Sequence, residues 1–328
     1  MTEREWFTLK TAAVPAQTPT FGKAATYAML TATAIFWGSA FVTSKIVVGD
    51  VPPSAAAFIR FGLGAFFAVL LLIILRSRDK TVQVTPNGNW AGVLVLGLVG
   101  VAAYNLLLFW GLAYSKASDG SMIIPTLSPA ITVVLAVIFL KEKFRWQQVT
   151  GLGITLAGSA VFFLSVVLGE VRDIHRITGD FMFIAAAACW SIYTLMGKKI
   201  LQRISPLVAT AYAMLFGSVV IGAFSVRDLA AVHWTHLSLD FWVSQFYMAL
   251  FPSVLANWFY YLGVKRIGPA RAAVFLYIVP VAGLVLATVM IGDVLTVAQI
   301  AGSALMLLGV SIVNRRSGRR KKDIDIAK

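Results

Sequence analysis

The sequence predicts an all-α polytopic membrane protein with ten transmembrane helices, arranged as two inverted five-helix repeats. The 328-residue chain is 59% hydrophobic and only 13% charged, with a mean hydropathy of +0.83. Its apolar residues form runs of about 20, which is the length that a helix needs to cross a bilayer. A pattern of matched residues also recurs about 152 positions later in the chain.

Ten apolar runs lie between Thr26 and Asn314, separated by short charged patches. Runs such as AFFAVLLLIIL do not alternate polar and apolar residues, which favours helices over the strands of a barrel. The first 24 residues are polar, so we expect no cleaved signal peptide. The predicted spans are 26–48, 54–75, 90–114, 119–140, 149–168, 180–201, 206–225, 241–264, 270–291 and 295–313.

The basic residues are distributed unevenly between the two sides of the predicted membrane. Assigning alternate loops to opposite sides places 22 Lys and Arg residues on one side and five on the other. Cytoplasmic loops carry such an excess, so both termini are expected on the cytoplasmic side. The membrane is expected to be the bacterial inner (plasma) membrane. This topology accounts for the net charge of +14, and we expect no nucleic-acid partner.

Matched residues divide the chain into two copies. The segment AIFWGSAFVTSK at 34–45 is followed 153 positions later by AACWSIYTLMGK. YNLLLFWG, which begins at Tyr104, aligns with ANWFYYLG at an offset of 152, and later matches have an offset of 151. The resulting pairs are Trp37 with Trp190, Asn105 with Asn257, Gly100 with Pro252, and Pro129 with Pro280.

An odd number of crossings in each copy inserts the second copy upside down. In agreement, LKEKF around Glu142 is rich in lysine, whereas its counterpart IGDVL around Asp293 contains no Lys or Arg. Inverted repeats are typical of transporters that alternate access to a site between their halves. The predicted organisation is a cytoplasmic segment 1–24, a first repeat 25–168, a periplasmic linker 169–178, a second repeat 179–314 and a basic cytoplasmic tail 315–328.

The chain resembles the EamA-type branch of the drug/metabolite transporter superfamily. The resemblance lies in AIFWGSAFVTSK, in FIRFGLGA at 58–65, and in TLSPAITVVLAVIFLKEKFRWQQVTGLGITLAGSAV with its echo YIVPVAGLVLATVMIGDVLTVAQIAGSALMLLGVSI. It implies ten helices, cytoplasmic termini and transport of small metabolites, often export. The aromatic-rich spans are most similar to bacterial aromatic amino acid exporters. The second copy departs from the first in having Ala213 where Arg60 stands.

Aromatic and amide side chains in the spans are candidates for a substrate site, since small-molecule cavities are mostly apolar with a few placed polar groups. The matched tryptophans could instead pack helices together, and the matched asparagines could instead hold an interhelix contact. The set suits a neutral, zwitterionic or aromatic solute, and it lacks the buried Arg or Lys cluster that a phosphate needs. The predicted substrate-binding residues are Trp37, Tyr104, Asn105, Trp110, Trp190, Tyr193, Asn257, Trp258, Tyr260 and Tyr277.

Helix-breaking residues at corresponding places in the two copies predict hinges, although kinks that only improve packing remain an alternative. Arg60 lies well inside the second span. It either snorkels outward, bonds helix-end carbonyls, holds an outer gate or meets a substrate carboxylate. Small residues in the fifth and tenth spans predict a packing or dimer face. The predicted hinge or gate residues are Gly100, Pro129, Pro252, Pro280 and Arg60.

All 14 acidic residues lie in predicted loops, in tails or close to span ends, so no carboxylate is expected at mid-membrane. Exporters of organic cations commonly need such a group, so a uniporter or a coupling route through loop-end groups is favoured. The spans hold no catalytic set, and we expect no enzyme activity, no cofactor and no metal site.

The sequence therefore predicts a secondary transporter that exports small metabolites, above all aromatic or hydrophobic amino acids, by alternating access. The alternative is an exporter of another neutral metabolite or drug, with or without coupling to protons. The expected partners are a small-molecule substrate and the lipid bilayer, and the oligomeric state is left open.

Overall fold

The part of the chain that the structure describes is built on ten long helices joined by short connections. The computed structural model describes residues 22–140, 146–167, 174–200, 203–267 and 275–314, and within these ranges it contains no strand. The helices are α1 Lys23–Asp50, α2 Pro53–Arg78, α3 Trp90–Tyr114, α4 Ala117–Leu140, α5 Trp146–Val167, α6 Ile174–Ile200, α7 Pro206–Ala231, α8 from Leu239–Met248 through Ala249–Leu255 to Ala256–Ile267, α9 Ile278–Ile291 and α10 Val297–Asn314.

Each predicted span overlaps one of these helices, and the predicted all-α class is confirmed. The helix α6 begins at Ile174, six residues before the predicted start of its span. Most of the predicted N-terminal segment and the basic tail lie outside the described residues, as do the loop around Glu142 and positions 169–173 of the linker.

Five of the described helical stretches are long and apolar enough to cross a membrane, and three further apolar stretches are shorter. The five are Ala24–Asp50, Pro53–Arg78, Trp90–Tyr114, Ile174–Gly197 and Pro206–Ala231. The three are Val149–Phe162, Ile278–Ile291 and Val297–Gly309.

The two repeats begin their second helices alike. Pro53 and Pro206 occupy the first positions of α2 and α7, where proline loses no helical hydrogen bond and its fixed φ suits the helix. In α7 the Ser205 side chain also accepts a bond from the Val208 nitrogen at 3.4 Å. Similar local sequence therefore gives a similar helix start in both copies.

The helices pack in a two-fold pattern that joins the repeats. Helix α1 packs on α9, and its repeat counterpart α6 packs on α4, the counterpart of α9. In addition, α2 packs on its counterpart α7, and α5 packs on its counterpart α10. The last part of α3 packs on α6, and the last part of α8 packs on α1. Every one of these contacts connects the first repeat to the second, so the centre of the molecule is the interface between them. This exchange is the arrangement expected for inverted repeats.

Glycines bring α5 and α10 close together. A Cβ atom at Gly158 would lie 2.7 Å from the Gly302 carbonyl oxygen, and one at Gly302 would lie 2.8 Å from the Gly158 carbonyl oxygen. Of the two roles predicted for these small residues, the structure shows packing within the chain.

We expect Gly302→Ala to lower the free energy of unfolding by about 1–3 kcal/mol, because the added methyl group meets backbone atoms that cannot easily move. The measurement is thermal unfolding of the purified protein in detergent. Gly153→Ala in α5 is the control, since its Cβ would meet nothing within 4 Å and alanine favours a helix. Equal melting temperatures for the two variants would contradict the packing described here.

Candidate substrate site

One π-helical segment interrupts α3 and another interrupts α8, at corresponding positions. Gly97–Ala103 lies in α3 and Ala249–Leu255 lies in α8, so the offset is the 152 residues of the sequence repeat. Short π segments are rare and are frequently found at functional sites. Gly100 and Pro252, predicted as hinges from sequence, are the central residues of the two segments.

Side chains satisfy the backbone around Pro252. Proline has no N–H group, so the Met248 carbonyl, four residues earlier, loses its usual helical donor. The Ser253 hydroxyl donates to that carbonyl at 2.9 Å. The Pro252 carbonyl accepts a bond from Trp37 Nε1 of α1 at 3.0 Å, and the Ser253 carbonyl accepts one from Asn257 Nδ2 at 2.7 Å. The interrupted helix is thus completed by donors from two helices.

Asn105 plays the corresponding part in α3. It is 2% exposed, and its Nδ2 donates to the Val101 carbonyl of the π segment at 2.8 Å. Among the described residues, neither Asn105 nor its counterpart Asn257 bonds a different helix, and the Oδ1 of each accepts no hydrogen bond. The two amides therefore complete the π segments with their nitrogens and leave their oxygens available.

Five of the predicted aromatic residues form one group of rings, called here the aromatic cluster: Trp37, Tyr104, Trp190, Tyr193 and Tyr260. The two matched tryptophans meet edge to face, with ring centroids 6.3 Å apart. Trp37 also contacts Tyr260 at 5.5 Å, and Trp190 contacts Tyr104 at 5.3 Å and Tyr193 at 5.4 Å. The cluster draws on α1, α3, α6 and α8, so both repeats build it.

The centre of each π segment receives an aromatic side chain from the other repeat. In α8 this is Trp37, through its bond to the Pro252 carbonyl. In α3 it is Tyr193, whose ring lies where a Cβ of Gly100 would stand. Glycine is required at position 100 because any side chain would displace Tyr193 from the aromatic cluster.

Arg60 is buried beside this site, at 6% exposure. Its Nε donates to Ser253 Oγ at 3.2 Å and its Nη1 donates to Ser44 Oγ at 3.3 Å. The guanidinium carbon lies 4.9 Å from the centroid of the Phe61 ring and 5.9 Å from that of Phe109. The alternatives in which Arg60 snorkels outward or bonds helix-end carbonyls are therefore wrong, because α8 offers it a hydroxyl partner in the interior.

No described carboxylate pairs with Arg60: the nearest acidic oxygens are all beyond 4.0 Å. A guanidinium without a counter-ion is costly to bury, and hydroxyl groups and ring faces offset that cost only in part. Ser253, which holds Arg60, directly follows Pro252, which holds Trp37. The free positive charge thus lies next to the aromatic cluster.

Three predicted substrate residues are not brought to the aromatic cluster by any described ring contact. Trp110 is half-buried and packs against the hydrophobic core, and the Trp258 ring contacts its neighbour Phe259, with centroids 6.1 Å apart. Tyr277 lies in the 3₁₀ turn Phe275–Tyr277, and its side chain is outside the described part of the structure.

The two other predicted hinge prolines occupy different positions in their helices. The helix α4 continues through Pro129, whose ring is outside the described part of the structure. Pro280 is the third residue of α9, a position whose N–H group has no helical partner in any case. The expected interruption of helix four at Pro129 is therefore wrong, whereas a hinge at Pro280 stays a prediction, because α9 directly follows the 3₁₀ turn Phe275–Tyr277.

A buried polar cluster that sequence reasoning missed lies where α1 and α3 end and α4 and α6 begin. We call this end of the bundle, which carries the connections 115–116 and 292–296, the Asp119 end. Arg176 of α6 pairs with Asp119 of α4, with its Nε 2.7 Å from Oδ2 and its Nη2 2.9 Å from Oδ1. The carboxylates were predicted close to span ends, but nothing in the sequence indicated that neighbouring helices bury them.

Two packed five-helix halves with polar and aromatic side chains between them are an organisation typical of membrane transporters. The chain belongs to the EamA-like transporter family, whose model matches residues 24–164 and again residues 177–315. The two matches confirm the predicted pair of repeats.

Several curated proteins are similar over most of their length. The uncharacterized transporter YyaM of Bacillus subtilis is 30% identical, over 87% of this chain and 92% of its own. A "probable terminal-alkyne amino-acid exporter" of Streptantibioticus cattleyicolor is 28% identical, over 89% of this chain and 95% of its own. A solved crystal structure, 18% identical, covers 89% of this chain and 96% of its own with a TM-score of 0.62, which supports the fold alone.

Proposed function

We propose that this transporter exports amino acids with aromatic or hydrophobic side chains by alternating access between its two repeats. The observation that carries the proposal is Arg60, a buried cation without a described counter-ion beside the aromatic cluster. An α-carboxylate would complete a charge-assisted pair with this guanidinium, and such pairs are among the strongest hydrogen bonds.

The rest of an amino acid also finds complementary groups. The aromatic cluster offers ring faces and edges to an apolar or aromatic side chain. The free Oδ1 atoms of Asn105 and Asn257 are acceptors for an ammonium group. A neutral drug would leave Arg60 without a counter-ion, so the amino acid is the better fit. The similarity to an amino-acid exporter supports the same choice.

The distribution of basic residues supports an inner (plasma) membrane location with both termini in the cytoplasm. In this orientation α1 runs outward, so the Asp119 end faces away from the cytoplasm. Opening that end would release substrate outside the cell.

Counterflow in liposomes tests the proposal. The purified protein is reconstituted, the vesicles are loaded with unlabelled phenylalanine or tryptophan, and uptake of the labelled amino acid is followed without any ion gradient. We expect transient accumulation above that in protein-free vesicles, because a carrier exchanges substrate without net flux. Absence of exchange for every amino acid tried, with exchange of a neutral drug, would contradict the proposal.

A further inference from the structure

The buried polar cluster at the Asp119 end contains a second carboxyl group, Asp180 of α6. Asp119 and Asp180 are both fully buried. Ser115 lies between them, with its Oγ 2.5 Å from Asp180 Oδ1 and 3.1 Å from Asp119 Oδ2. The other oxygen of Asp180, Oδ2, is buried and has no hydrogen-bond partner.

The two contacts of Ser115 with carboxyl oxygens need two hydrogens, and Ser115 with two ionised carboxylates supplies only one. A serine hydroxyl has one hydrogen and can donate it to one carboxylate at a time. Asp119 is ionised, because Arg176 binds both of its oxygens. Both contacts of Ser115 can therefore be hydrogen bonds at the same time only if Asp180 carries a proton and donates it to Ser115.

Counting charges gives the same result for the described residues. Lys45 of α1 donates to the Ser115 carbonyl at 2.6 Å, and Asp293 accepts a bond from the Ser118 nitrogen at 3.2 Å. The described ion pair of Arg176 is with Asp119, and no described cation pairs with Asp180, so an ionised Asp180 would be a buried charge without a direct partner. A neutral Asp180 also explains how its Oδ2 is buried without a partner, since a bare carboxylate there would be far more costly.

No other titratable group of the elements packed on Asp180 has a described contact with it. Asp119 comes from α4 and Arg176 from α6, while the connection after α3 contributes only the Ser115 hydroxyl. His175, beside Arg176, stacks on Tyr114 with ring centroids 5.9 Å apart. Gly179 permits the contact, since a Cβ there would lie 2.6 Å from Ser115 Cβ.

We propose that Asp180 is a proton-binding site that latches the Asp119 end closed. Asp180 and Arg176 lie on α6, the first helix of the second half, whereas Ser115 and Asp119 belong to the first repeat, so opening this end separates the partners. Water then reaches Asp180, its O–H bond breaks and the proton passes to water on that same side. On closing, the carboxylate takes a proton back from that side. The proton therefore regulates the carrier without crossing the membrane.

The latch makes turnover depend on the pH at the Asp119 end. Acidification keeps Asp180 protonated and the end closed, so counterflow slows about tenfold for each pH unit below the midpoint, as a one-proton block requires. Asp180→Asn, which is neutral and can still donate to Ser115, is expected to turn over slowly at all pH values. The exposed Asp240, at the same end of the bundle, supplies the control Asp240→Asn, which should behave like the wild type.

Infrared spectroscopy tests proton binding without any substrate, so its outcome does not depend on the proposed amino-acid function. We expect a carboxylic-acid C=O band in the acidic wild type that disappears at high pH and is absent from Asp180→Asn. Ser115→Ala, the second variant, should move the midpoint of this band to lower pH, because the proton loses its acceptor. An unchanged band in both variants would overturn the proposal. So would acidification of the vesicle lumen in step with substrate exchange, which would show that the proton crosses the membrane.

Discussion

Arg60→Gln is expected to reduce phenylalanine counterflow roughly 30-fold or more while the protein remains folded. Removing one partner from a buried, hydrogen-bonded charge pair costs about 2 kcal/mol or more, and about 1.4 kcal/mol corresponds to a factor of ten. Glutamine keeps a donor for Ser44 or Ser253, so the contacts that hold α1, α2 and α8 together are partly preserved. The loss is therefore expected in substrate binding more than in stability.

The controls separate a carboxylate ligand from a general effect of charge. Arg78→Gln removes an exposed arginine of the same helix and should leave counterflow within about twofold, as expected for a surface charge. Phenethylamine, which lacks the carboxylate, should compete poorly in the wild type and no worse in Arg60→Gln. If the variant kept the preference of the wild type for phenylalanine over the amine, Arg60 would not contact the carboxylate.

Much of the fold could be predicted because its signals are local or repeated. Apolar runs of about 20 residues indicate membrane helices wherever they occur, and the matched pairs indicate which helices correspond. The pair Gly100 and Pro252 predicted one hinge point in α3 and another in α8. That both points are π segments could not be predicted, because it depends on donors such as Trp37, 215 positions from Pro252 in the sequence.

The environments of the charged residues were the least predictable part of the site. An arginine in an apolar run indicates a buried cation, but its hydroxyl partners come from Ser44 of α1 and Ser253 of α8. A hydropathy pattern places Asp119 and Asp180 at the ends of spans. It does not distinguish a helix end in contact with lipid headgroups from one that neighbouring helices cover, as they do here.

Trp37→Phe is expected to lower the free energy of unfolding by about 1 kcal/mol, the net contribution of a typical hydrogen bond. Phenylalanine keeps a ring in the aromatic cluster but removes Nε1, so the Pro252 carbonyl loses its bond from α1. Trp190→Phe is the matched control, because this repeat counterpart makes the same kind of ring contacts while its Nε1 donates no described hydrogen bond. Thermal unfolding in detergent should therefore separate two chemically identical substitutions, with Trp37→Phe the less stable. Equal melting temperatures would show that the two tryptophans act only as ring surfaces, and that the π segment of α8 does not depend on a donor from α1.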